Sequence, residues 1–150
     1  MGDPRLSDQF RDDQGRDDQR REVVAGAVVR EGQLLVARRS APPELAGLWE
    51  LPGGKTEPGE ASRAAVEREL AEELAIVVVA GERVGPEVLI GERLVLRAYA
   101  AEWVSGEPEA IEHQEVAWIG SEALDDLAWV PSDRALVECL RVLLRPRERA

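Results

Sequence analysis

The residues in this chain best suited to chemistry are three glutamates, Glu69, Glu72 and Glu73, at i, i+3 and i+4. At about 100° per residue of helix they fall within an arc of roughly 100°, so the three carboxylates leave one side together. Val66, Leu70 and Leu74, at i, i+4 and i+8, form an adjoining apolar stripe that can dock on a sheet. A turn-rich lead-in with Gly53, Gly54, Pro58 and Gly59 precedes them and brings a further acid, Glu60. Hard oxygen ligands without His or Cys suit Mg²⁺ or Mn²⁺, which bridge readily to phosphates. Like charges at i, i+4 cost only about 0.2–0.5 kcal/mol on a solvated helix, so the three acids alone also fit an ordinary charged face.

The spacing of the whole stretch separates these alternatives. Gly54, Glu60, Arg68, Glu69, Leu70, Glu72, Glu73 and Ile76 satisfy G-x5-E-x7-R-E-U-x-E-E-x-G-U, with U aliphatic, at every position but one. Six fixed Gly, Glu or Arg positions at roughly 7% usage match by chance about once in ten million starts, or about tenfold more often in a Glu-rich chain. The stretch resembles the Nudix box, the signature of the Nudix hydrolases. Its departure is Ala75, where the family has Gly. A left-handed residue commonly ends a helix there, and Ala in that conformation costs about 1–2 kcal/mol.

The resemblance implies an α/β fold, a Nudix α/β/α sandwich with a mixed sheet and a loop–helix–loop box. It makes Glu69, Glu72 and Glu73 metal ligands together with the Gly53 carbonyl, with Glu60 as an accessory ligand oriented through Arg68. Arg68 in a simple intrahelical ion pair is the plainer alternative. The segment GEPEAIEHQEVAW is similar to one that supplies a loop carboxylate in MutT-type members, and places it at Glu112, with Glu109 and Glu115 close by. The general base is then one of Glu69, Glu72, Glu73 and Glu112. His113 is expected to orient the loop rather than to ligate metal.

ARRSAPPELAGLWELPGGK also resembles the MutT-type subgroup, which makes Arg39 and Lys55 candidates for the triphosphate. AWVPSDRAL resembles the segment that meets the nucleobase, with Asp133 against its edge and Trp129 walling the pocket or packing inside. An ionised Asp133 would accept from an exocyclic amino group and a protonated one could also donate; a residue that simply complements the helix start is the alternative. Trp49 is expected in the core.

The chemistry implied is Mg²⁺-dependent hydrolysis, with Mn²⁺ as a second choice of metal, of a nucleoside triphosphate to the monophosphate and pyrophosphate. Similar bacterial enzymes, actinobacterial ones among them, act on 8-oxo-dGTP or on cytosine nucleotides such as dCTP, 5-methyl-dCTP and CTP, in nucleotide-pool sanitation. A nucleotide sugar, a dinucleoside polyphosphate or a non-catalytic sensing role are the alternatives.

Composition agrees with a small-molecule substrate. Net charge is −11 over 150 residues, which disfavours a nucleic-acid backbone as partner. No run is long enough to span a membrane, no signal-peptide core opens the chain, and the expectation is a cytoplasmic monomer or homodimer. The single cysteine, Cys139, excludes an intrachain disulfide and is expected to be buried.

The elements that must position these residues read in order. Residues 1–21, polar and rich in Asp, Gln and Arg, are expected to be a disordered extension, and 22–150 a single hydrolase domain. VVAGAVV and QLLVARR form a hairpin about Glu31–Gly32, SAPPELAG is a loop, and LWELPGG is extended. After the acidic helix, IVVVAG is a strand, EVLIGERLVLRAYAAEWV gives two more folded at Gly91–Glu92, and EVAWI another. A last helix is expected to start with Ser132 as its N-cap and to stop at Pro146.

Overall fold

The structure is a computed structural model, and it describes residues 20–146. The expected extension lies, through residue 19, outside the described residues. Strands β1 (Arg21–Arg30), β2 (Gln33–Arg38), β3 (Trp49–Glu50) and β4 (Gly53–Lys55) precede helix α1 (Ser62–Leu74). Strands β5 (Val77–Ile90), β6 (Leu94–Ser105) and β7 (Glu115–Ile119) follow, then a 3₁₀ turn at Ser121–Ala123 and helices α2 (Pro131–Arg134) and α3 (Val137–Leu143).

The sheet runs β3-β2-β1-β6-β5, with β4 also on β1 and β7 also on β2. It is mixed: β1 and β6 are parallel over nine residue pairs and the other pairings are antiparallel. Both faces are covered, so β1 reads as one apolar run rather than an alternation. Val24 and Val28 join the layer under α1, while Ala25 and Ala27 join the layer under α2 and α3. That is the α/β/α sandwich. The β1–β2 turn has positive φ at Glu31 (52°) and Gly32 (76°), as a type I′ turn requires.

Two expectations are corrected. IVVVAG and EVLI belong to one strand, β5, whose register on β6 shifts between Ala80 and Arg83 and again between Val84 and Val88. The first shift inserts one residue, which reverses the side-chain alternation. Val78 and Ala80 therefore pack under α1, whereas Val84 packs under α3. The glycines that read as a break are part of this bulged strand.

The final helix is also not continuous. It divides into α2 and α3 at Ala135–Leu136, and its N-cap residue is Val130, with Pro131 in the first turn. The Ser132 hydroxyl donates to Asp133 Oδ1 (3.0 Å) instead of capping. Pro at the first helical position is preset in φ and has no N–H to satisfy, and the Asp133 and Arg134 N–H groups both donate to the Val130 carbonyl (3.1 Å each).

Candidate active site

Helix α1 stands on β1 at close range because Gly26 has no side chain. A Cβ there would lie 3.0 Å from Leu70 Cδ2 and 3.1 Å from Val66 Cγ1. Val66, Leu70 and Leu74 are fully buried, so the apolar stripe docks as expected. The lead-in is equally tight: a Cβ on Gly53 would be 1.9 Å from the Val24 carbonyl oxygen, and one on Gly54 would occupy the space of the Glu69 carboxyl.

Arg68 organises the acids on the outer side of this helix. Its Nε and Nη2 donate to the two oxygens of Glu60 (2.7 and 2.9 Å), and Nη1 donates to Glu69 (3.0 Å) and Glu72 (3.2 Å). Nη2 also reaches the Lys55 carbonyl (3.1 Å), which ties the lead-in to the helix. This fork holds Glu60 below the usual carboxylate range. Both Glu60 oxygens are thus committed to Arg68.

Glu73 differs from its neighbours. Among the described residues its Oε2 is buried without a hydrogen-bond partner. Burial first, then the Glu69 and Glu112 carboxylates, push it up to about 8. Glu73 lines a cleft of about 220 Å³ together with Gly53, Glu112, His113, Arg39 and Ser40. Among the described residues, no three His, Cys, Asp or Glu side chains already form a complete ligand cage. The donors nonetheless fit a divalent cation in kind: an orphaned buried carboxylate oxygen beside a second carboxylate and a carbonyl-bearing glycine is a set that a hard cation would satisfy.

Helix α1 ends at Ala75, which is left-handed (φ 58°, ψ 35°) as the missing Gly implied, its N–H bonded to the Ala71 carbonyl. The loop with Glu112 docks on this end. Glu109 N–H donates to the Leu74 carbonyl (2.9 Å), and a Cβ on Gly106 would come within 2.6 Å of the Ala75 oxygen. Ser40 Oγ donates to the Glu112 carbonyl (2.6 Å), and Gln114 N–H to the Arg38 carbonyl (2.8 Å). The Glu112 side chain itself is exposed.

A second cavity, of about 630 Å³, shares Arg39, Glu50, Gly53 and Glu73 with the cleft. Lys55 is on its rim, and Val88, Ile90, Leu94 and Leu96 give it an apolar wall. Asp133 lines it and is only 4% exposed. Its Oδ2 accepts the Leu51 N–H (2.7 Å), and burial, against the pull of that amide, pushes it up to about 7. Trp129 packs in the core, with its indole N–H on the Leu124 carbonyl (2.8 Å); its neighbours Val130–Ser132 line the cavity instead. Trp49 packs against the same core.

Sequence reasoning passed over Glu50. Its carboxylate joins Arg39 Nη1 (2.7 Å) to His113 Nε2 (3.0 Å), so His113 is turned toward Glu50 rather than outward. The available signal was a single acid inside the apolar run LWELP. Cys139 is half-buried, more open than expected, and its Sγ fills the space beside Gly85.

The NUDIX domain profile matches residues 20–140. A putative 8-oxo-dGTP diphosphatase 2 of Mycobacterium tuberculosis is 49% identical over 118 residues, covering 77% of this chain and 84% of that protein. The CTP pyrophosphohydrolase of Escherichia coli K12 is 38% identical over 128 residues, covering 84% and 95%. The crystal structure of a MutT NUDIX hydrolase from Burkholderia pseudomallei superposes with a TM-score of 0.66 at 33% identity, covering 81% of this chain and 96% of that one. Nudix hydrolases act on small nucleotide substrates and generally use divalent metals. Matched by the domain profile over residues 20–140 and by relatives over more than three quarters of its length, this chain belongs to the Nudix hydrolase family and is a hydrolase of the MutT type.

Proposed function

We propose that this protein is a Mg²⁺-dependent nucleoside triphosphate pyrophosphohydrolase of nucleotide-pool sanitation, acting on 8-oxo-dGTP or on cytosine nucleotides. One observation carries the reading: a carboxylate-bearing cleft and a larger, apolar-walled cavity share Arg39, Glu50, Gly53 and Glu73. A polyphosphate in the first then has room for its nucleoside in the second. The names of the mycobacterial and E. coli relatives support the two base classes. We assign the catalytic unit to residues 22–150 and its work to the cytoplasm.

In this reading Glu69, Glu72, Glu73 and Glu112, with the Gly53 carbonyl, hold the metal, and Glu60 serves them through Arg68. Bound divalent cations would neutralise phosphate charge and lower the pKa of the attacking water. Water attacks the β-phosphorus, and one of the four glutamates takes its proton. The bond from that phosphorus to the α,β-bridging oxygen breaks, so the nucleoside monophosphate leaves with the bridging oxygen and pyrophosphate keeps the water oxygen. Arg39 and Lys55 bind the phosphates. Asp133 meets the base edge from the cavity floor, held there by the Leu51 amide.

Hydrolysis with Mg²⁺, read as pyrophosphate release from 8-oxo-dGTP, dGTP, dCTP, 5-methyl-dCTP and CTP and as nucleotide product formation from ADP-ribose and a diadenosine polyphosphate, tests this. Release from one triphosphate class is the expected result. Turnover of only ADP-ribose or the dinucleotide would discard the specificity, and no turnover of any would discard the catalytic reading.

A further inference from the structure

Three strands meet where the two cavities join. β2 lies between β3 and β7, with Ala37 opposite Glu50 on one edge and Arg38 opposite Glu115 on the other. Arg39 leaves the end of β2, and His113 arrives just before β7. The Glu50 side chain, 15% exposed, therefore lies beside both segments that bracket the cleft.

Each of its oxygens has a separate task. Oε1 accepts from Arg39 Nη1 at 2.7 Å, and Oε2 faces His113 Nε2 at 3.0 Å. A carboxylate only accepts, so Nε2 carries the hydrogen in this contact. His113 is 7% exposed in its side chain, and a buried ring held at one nitrogen fixes the backbone on either side of it, including that of Glu112. The Arg39 Nε–H goes to the Ala41 carbonyl (2.9 Å). With one Nη1 hydrogen on Glu50, three of the five guanidinium donors are left over by the described residues for an anion in the cleft that Arg39 lines.

A carboxylate placed in a polyphosphate cleft opposes its own ligand unless its charge is compensated. Glu50 is compensated by Arg39, and what it contributes is aim. Resting on the triphosphate reading above, we propose that Glu50 is a positioning residue: one oxygen orients Arg39 toward the phosphates, and the other holds His113 and so sets the Glu112 loop at the metal.

Calorimetric titration of the full chain with Mn²⁺, and separately with an imido-bridged nucleoside triphosphate, tests the proposal alongside pyrophosphate release. Glu50→Gln is expected to weaken both affinities about 10–100-fold, the usual cost of removing a group that orients a ligand. Breaking one arm at a time splits the effect: His113→Ala weakens Mn²⁺ alone, and Arg39→Ala weakens the triphosphate alone. Glu50→Asp, which keeps the carboxylate on a shorter stem, recovers part of both losses and carries the test if Glu50→Gln does not fold. Wild-type affinities in Glu50→Gln overturn the proposal, as does a lower melting temperature with both affinities intact. A wild type that binds both ligands but releases no pyrophosphate would sink the triphosphate hydrolysis and leave the role of Glu50 measurable; one that binds neither sinks both.

Discussion

Glu73 on α1 and Glu112 on the loop of residues 106–114 line one cleft, yet the two segments are held by different means. The helix is fixed by burial: Val66, Leu70 and Leu74 have no exposed surface, and Gly26 lets them approach β1. Arg68 adds a two-pronged grip on Glu60. The loop is held by separate contacts, one each at Glu109, Glu112, His113 and Gln114, with the Trp103 indole N–H on the Gly106 carbonyl (2.7 Å) and an ion pair from Arg30 to Glu107 (3.1 Å). A segment fixed by packed area presents its carboxylates rigidly, whereas one fixed by isolated hydrogen bonds can shift when any of them is lost.

This contrast orders the expected effects of mutation. Glu73→Gln, on the rigid side, should lower kcat for pyrophosphate release about 1,000-fold, the scale of a lost catalytic group. It should leave the melting temperature undiminished, because Gln keeps the size and shape of a buried carboxyl that already holds its proton. Near-normal turnover would break the assignment. Glu112→Gln should cost less, about 10–100-fold, and high Mg²⁺ should restore much of the rate, since a mobile ligand can be compensated by mass action. Equal and unrescued losses in both variants would erase the distinction.

A smaller effect concerns pH. Glu73 is raised from 4.5 to about 8, and Asp133 from 3.8 to about 7. Between those values the folded carboxyls keep protons that the unfolded ones have released, so stability should fall as pH rises through this window. Mg²⁺ favours ionised Glu73 and should flatten the Glu73 part, raising the melting temperature more at pH 8 than at pH 5. A Mg²⁺ shift independent of pH would detach Glu73 from the metal. Smallest of all, Ala75→Gly should stabilise the fold by about 1 kcal/mol, measured by denaturant midpoint, because it relieves a left-handed Ala. A change in Mg²⁺ dependence in that variant would show that the loop senses the helix end on which it rests.

The same contrast marks what was legible in the sequence. Glu69, Glu72 and Glu73 could be placed on one side of a helix because local periodicity fixes side-chain direction, and Ala75 could be flagged because one backbone position there requires a left-handed residue. The Glu50–Arg39–His113 contact could not be read, since it depends on β3 and β7 meeting on opposite edges of β2, far apart in sequence. The β5 bulges were hidden for a related reason: Gly81 and Gly85 look like a break until pairing with β6 shows the strand continuing. Asp133 was found by its place in a motif, but its bond to the Leu51 amide is a tertiary fact.

The long strand β5 has one further consequence. It forms an outer border of the sheet, where unpaired backbone groups invite another chain to add on, and it carries exposed Val77, Val79 and Leu89. Its three register shifts, at Val77–Val78, Ala80–Arg83 and Val84–Val88, bend that border, with Glu82, Arg83 and Glu87 set among them. An incoming strand would match it only in short pieces before the spacing failed and a charge intervened. The irregularity that turns Val84 inward also protects the folded protein against sheet-to-sheet aggregation at that border.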